Sequence, residues 1–169
     1  MNKNKIEKKE IYTKGYAERY AEYLYNYILK NIVEPILGNK STYLSNLSKL
    51  GQKMLGSKFH GVYPSDKIPK LTQSTPYAIL NLDKTGEPGS HWVAIAKSEN
   101  NTNTSYVYDS FARKSKTIIP GLLQSGNGKI KNTDISDVEQ RLKEENCGAR
   151  SISWLLLFDR FGEEKAKLI

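Results

Sequence analysis

The chain has 169 residues, with 26 Lys plus Arg against 18 Asp plus Glu and a net charge of +8 at pH 7. That length fits one domain, residues 1–169, which buries about 68–70% of its unfolded surface and needs no metal or disulfide staple. One cysteine, Cys147, and two histidines, His60 and His91, exclude an intramolecular disulfide and a structural zinc site of four Cys/His ligands.

Residues 1–13, with Lys3, Lys5, Lys8 and Lys9, read as a flexible basic tail without the apolar run of a secretory signal. No stretch reaches the roughly 18 apolar residues of a membrane span, so the expectation is a soluble protein that is not secreted and does not engage a membrane. Residues 14–33 place Tyr16, Tyr20, Leu24, Tyr27, Ile28 and Ile32 at helical spacing. The tyrosines are expected to pack this helix onto the core, and Pro35 and Gly38 to stop it. Ser41 is expected to cap a second helix over residues 42–55, with Tyr43, Leu47, Leu50 and Met54 on one face. Residues 56–76, rich in Gly and Pro, read as turns. Residues 77–82, 91–97 and 105–109 read as strands, the last two as antiparallel neighbours. Residues 110–132 read as loop with a short helix. Within them, 125–129 lacks the spacing of a phosphate-binding loop and reads as flexible. Residues 147–161 contain Trp154-Leu-Leu-Leu-Phe158, too continuous for a surface helix, and read as a helix through the core. The fold class is α+β: a small central antiparallel-rich sheet flanked by helices, with a buried C-terminal helix starting at Cys147.

Four residues carry chemistry. Cys147 sits at a helix N-terminus, where unpaired N–H groups and the helix dipole favour thiolate; the competing reading is an inert buried thiol. His91 opens a strand and could serve such a thiol as base, or be a surface histidine in a turn. Asp109 ends the next strand eighteen residues on, where a hairpin would bring it beside His91 to orient the imidazole; alternatively it only forms a turn. Gln140, seven residues before Cys147, could donate to an oxyanion together with the Cys147 N–H. A capping box at residues 136–139 would instead make it a solvated helical glutamine.

In this order and spacing the four motifs resemble the adenain (adenovirus maturation protease) and SUMO-protease (Ulp) superfamily. They are His-Trp opening a strand, Tyr106-Val-Tyr-Asp-Ser110 at the next strand end, and Gln140 ahead of Cys147-Gly148. Gly61-Val-Tyr-Pro-Ser-Asp-Lys-Ile-Pro69, with residues 77–92, is similar to the maturation proteases of virophages and polinton-type elements, the mavirus type included. The resemblance spans about residues 58–161. It implies a papain-type cysteine protease fold with Cys147 as nucleophile, His91 as general base and then acid, Asp109 as orienting carboxylate and Gln140 as oxyanion donor. Trp92 would pack beside the site; His60 matches no catalytic position. The family departs at Ala149-Arg150-Ser151, where many relatives have large apolar residues, which leaves the partner of Arg150 open. The implied activity is a cysteine endopeptidase that processes capsid and other virion precursors near glycine-containing motifs. It would act without a cofactor, as a monomer, in the virion and the host cytoplasm. The +8 charge suits non-specific nucleic-acid binding, with nucleic acid as an activator, or is only a solvated basic surface. The alternatives are a ubiquitin- or SUMO-like isopeptidase and an inactive, basic nucleic-acid-binding virion protein.

Overall fold

A computed structural model describes residues 3–87, 90–134, 138–141 and 143–169, with side chains from Gly15 onward. The capping box expected at 136–139 and the turn expected before His91 fall partly outside these residues.

Helix α1 runs from Lys3 to Ile28 and continues through a π turn, Leu29–Val33, into α2, Glu34–Leu37. The segment read as a flexible tail therefore has helical backbone from Lys3; it contains no Gly or Pro to interrupt a helix. Nor does Pro35 stop the helix. The wide π turn shifts the hydrogen bonding, so that Glu34 N–H donates to Leu29 O and Pro35 falls in a first turn, where no N–H is needed. Gly38, at φ +79°, ends it.

The burial of α1 corrects the expectation for its tyrosines. Ala21, Tyr25, Ile28, Leu29 and Val33 face the core, whereas Tyr16, Tyr20, Tyr23 and Tyr27 form an exposed stripe, each 47–72% accessible. Two helical stripes interleave in this sequence. The stripe richer in aliphatic residues is buried, because exposed tyrosine hydroxyls stay hydrated while aliphatic side chains gain nothing from water; Tyr25, the one tyrosine in the buried stripe, bonds Tyr108 and Arg150 through its hydroxyl.

Helix α3, Leu44–Leu55, buries Leu47, Leu50, Gly51 and Leu55, and its N-terminus has no side-chain cap. Ser41 instead donates to Glu145 Oε2 (3.1 Å), and Tyr43, expected on the buried face, is 78% exposed.

Five strands form one mixed sheet in chain order: β1 Phe59–Tyr63, β2 Tyr77–Asn81, β3 Trp92–Lys97, β4 Thr104–Tyr108 and β5 Lys129–Asn132. The two central pairings are antiparallel, but β1–β2 and β4–β5 are parallel, so the sheet is mixed rather than antiparallel-rich. β1 and β5 lie in segments read as turn and loop; both are short edge strands with a half-polar pattern. Between β4 and β5 lie a single turn, α4 (Ser115–Ile118), and a 3₁₀ turn, Pro120–Gln124. The loop before β5 is built rather than flexible: buried Asn127 accepts from Leu71 N–H and donates to Pro69 O and Ser125 Oγ. Both faces of β2 and β3 are covered, which explains their continuous apolar runs. Tyr77, Ile79, Ala94 and Ala96 meet the helices, while Ala78, Leu80, Val93 and Ile95 meet Leu71, Ile119 and Leu122.

Helix α5, Cys147–Phe161, is buried on every side from Cys147 to Phe158. It runs through the core between α1, α3 and β3, as its composition predicts. Trp154 stacks on Tyr108 (5.6 Å, 6°), and a last turn, α6 (Glu163–Ala166), packs against α5.

Candidate functional site

The β3–β4 register pairs Ala94 with Tyr108. His91, just before β3, and Asp109, just after β4, therefore leave the sheet at the same end. Helix α5 lies along β3, pinned there by Ser151 Oγ donating to Trp92 O (3.2 Å), and delivers Cys147 to that end.

His91 Nε2 donates to Asp109 Oδ1 at 2.7 Å, with both residues 6% exposed. Its other ring nitrogen, Nδ1, is left for Cys147; the two side chains line one cavity, and each favours the charged form of the other. Asp109 is held from behind. It accepts from Phe111 N–H (3.1 Å) and from Arg113 Nε (2.7 Å). Ala112, in left-handed conformation at φ +55°, turns the chain back to make this possible. Phe111 lies against the His91 ring (5.0 Å, 30°), and Arg113 sits over Phe111.

This geometry sets the ionisation of the three groups. Burial opposes charge on His91, but its bonds to Asp109 and Cys147 outweigh it and raise its pKa above the ordinary imidazole value. Burial likewise opposes the Asp109 carboxylate, but His91 and Arg113 overcome it and hold its pKa at about 2. Burial would keep the proton on Cys147. The bond and charge of His91, with the Trp92 and Gly148 N–H groups, win and lower the thiol below its ordinary value. Such an arrangement can hold a thiolate beside an imidazolium.

Gln140 is not a solvated helical residue: it is 3% exposed and non-helical. Its N–H donates to Ser110 O (2.9 Å), and its Oε1 accepts from Ser110 Oγ (2.6 Å). Nε2 donates one proton to Glu144 O at 2.5 Å. The second proton has no acceptor among the described residues. Cys147 opens its helix, so its own N–H has no intrahelical acceptor. Both donors border one cavity of about 270 Å³, lined also by Thr42, His91, Trp92 and Phe111.

Sequence reasoning missed the groups that support this cavity. Arg150, 7% exposed, is the centre of a buried network. It donates from Nε to Asn146 Oδ1 (3.1 Å), from Nη1 to Tyr25 Oη (3.2 Å) and from Nη2 to Glu144 Oε2 (3.1 Å). Tyr25 Oη meets Tyr108 Oη at 2.6 Å, so the network joins α1, the strand that leads to Asp109, and the loop that holds Gln140. Arg113, Ser110 and Glu144 are likewise legible only once the chain is folded. His60 stays apart: exposed on β1, it bonds Tyr63 Oη (2.6 Å).

At Thr42 and Trp92 the cavity adjoins a groove of about 480 Å³ walled by Tyr43, Tyr63 and Pro64. A Cβ added at Gly148 would lie 3.3 Å from Thr42 Cβ and from Trp92 Cδ1. The space above Gly148 is occupied by these two side chains. Beyond Gln140 and Phe111 a third, open groove of about 1040 Å³ continues past Arg141 and Lys143. Cys147 thus lines the middle of three neighbouring cavities that share wall residues.

Among the described residues, no group of three or more His, Cys, Asp or Glu side chains could hold a metal ion, and no helix is long and apolar enough to cross a membrane. Compared with known proteins, the sequence matches no family model and no curated protein.

Proposed function

We propose that the protein is a cysteine endopeptidase that processes capsid or other virion precursor proteins. The observation that carries the reading is the convergence of Cys147, His91 and Gln140 on one cavity, with Asp109 bonded to His91 behind it. The four residues are also those singled out by the motif resemblance.

In this reading the Cys147 thiolate attacks the scissile carbonyl carbon. The oxyanion is received by the Cys147 N–H and the second proton of Gln140 Nε2. The His91 imidazolium, oriented through Nε2 by Asp109, gives its Nδ1 proton to the leaving amine, and the C–N bond breaks to leave a thioester. His91, now neutral, takes a proton from water, which attacks the thioester and releases Cys147. Asp109 stays ionised throughout, consistent with its depressed pKa. The close approach of Thr42 and Trp92 over Gly148 favours substrates with small residues, glycine above all, beside the cut.

The test is co-expression of the protein with candidate capsid precursors and mass spectrometry of the new termini. The wild type is expected to create termini that Cys147→Ala does not. Equal processing by Cys147→Ala rejects the nucleophile. Turnover of a fluorogenic ubiquitin or SUMO substrate without precursor cleavage replaces the maturation reading with an isopeptidase.

A further inference from the structure

The cleft is asymmetric in charge. On the Trp92 side its rim carries the carboxylates of Asp83 and Glu87, with Lys84 between them. On the Gln140 side it carries Arg113, Arg141 and Lys143 around an apolar floor of Phe111 and Val138.

Asp109 and Glu144, beside the basic end, are already engaged. Asp109 takes Arg113 and His91, and Glu144 takes Arg150 and the Arg141 N–H. The exposed side chains of Arg141 and Lys143 have no carboxylate partner among the described residues. Two exposed cations, neither in a side-chain ion pair among the described residues, thus border a groove that shares Phe111, Gln140 and Glu144 with the cavity at Cys147; the charge of Arg141 also acts on Glu144.

We infer that the groove beyond Gln140 is a subsite for an acidic stretch of substrate peptide, its carboxylates meeting Arg141 and Lys143 while an apolar side chain rests on Phe111 and Val138. The inference rests on the proposed peptidase reading for what lies at Cys147, but the groove's charge preference can be measured without catalysis. Cations at one end and carboxylates at the other also fix the direction in which a peptide of uneven charge lies in the cleft. Acidic residues then favour cleavage from one side of the cut only.

The test uses the full chain in two forms. For the wild type, the probe is a set of quenched fluorogenic peptides with a central Gly-Gly and with paired Asp, Asn or Lys placed up to four residues before or after it. For Cys147→Ala, the probe is the same peptides carrying fluorescein, read by anisotropy. Two exposed ion pairs are expected to favour the Asp over the Lys peptides by about 3–10-fold, on one side only. The preference is expected to shrink as salt rises toward 0.5 M and to reverse in Arg141→Glu/Lys143→Glu. Both side chains are exposed, so this variant is expected to unfold at the wild-type temperature. If no peptide is cleaved but the anisotropy ranking holds and reverses, the peptidase reading fails and the acidic subsite stands. A ranking that is flat, or that persists unchanged in the double variant, overturns the subsite.

Discussion

Replacing His91 by alanine separates the opposed influences on Cys147. Burial keeps the thiol protonated; the imidazole and two backbone N–H groups favour the thiolate, and the balance lies on the thiolate side. A thiol of ordinary pKa, about 8.5, is about 3% ionised at pH 7, so at that pH its surroundings can raise the thiolate fraction by at most about 30-fold. A less basic thiolate is also a weaker nucleophile, with a Brønsted slope of about 0.4–0.5, which trims the gain. In His91→Ala the burial remains and the largest favourable influence is gone. The pH midpoint of iodoacetamide alkylation is therefore expected to rise, and the rate at pH 7 to fall about 3–30-fold. The assay needs no substrate, and with one cysteine per chain mass spectrometry follows a single adduct. A midpoint that stays in place or moves down would refute the reasoning, because the Trp92 and Gly148 N–H groups alone would then set the thiol.

Asp109→Asn removes the group that orients His91 and is expected to lower kcat by about 10²–10⁴ with KM little changed, read on any peptide the wild type cleaves. Asp109 also shapes acid stability. Its pKa is depressed to about 2, so its contribution is complete above the ordinary carboxylate value of about 3.9 and is lost as pH falls toward 2. The amount, about 2.5 kcal/mol, should appear as a slope in urea-unfolding free energy over that window and be absent from Asp109→Asn. Glu144→Gln loosens the clamp between Arg150 and the loop holding Gln140, and is expected to lower kcat several-fold. In a Gln140→Ala background, itself slower by about 10²–10³, the same change should add little; simple additivity would mean that the clamp does not act through Gln140. Gly51→Ala places a Cβ 2.2 Å from the Phe59 ring. Overpacking of about 1–3 kcal/mol is expected to outweigh a helix-propensity gain of up to about 1 kcal/mol. Calorimetry should show Tm lowered by about 2–6 °C.

The parts of the fold written in unbroken local patterns were legible in the sequence. The run from Trp154 to Phe158 announced a buried helix, read over residues 147–161. The apolar runs of β2 and β3 gave central strands, and the spacing of His91 and Asp109 followed from a hairpin. What was missed depends on long-range partners. β1 and β5 are edge strands whose pairing is parallel and non-local, so no turn signal marks them. The tyrosines of α1 match a helical period in two phases, and only the position of the sheet and α5 decides which phase is buried. Arg150 is a polar residue within a buried helix, a pattern that local reasoning reads as surface; its partners Tyr25 and Glu144 lie 125 and 6 residues away. Gln140 was found through spacing to Cys147, but its fixation by Ser110 arises from a contact across thirty residues.

The two tryptophans, both buried, have different neighbours. Trp154 is fully buried and stacked on Tyr108, whereas Trp92 stands where the central cavity opens into the groove of Tyr43 and Tyr63. A change in intrinsic fluorescence when a molecule enters the cavity is therefore expected to come chiefly from Trp92, and Trp92→Phe should remove it. The protein carries a built-in reporter of cleft occupancy, one residue along the chain from His91, that works without a dye, a label or turnover.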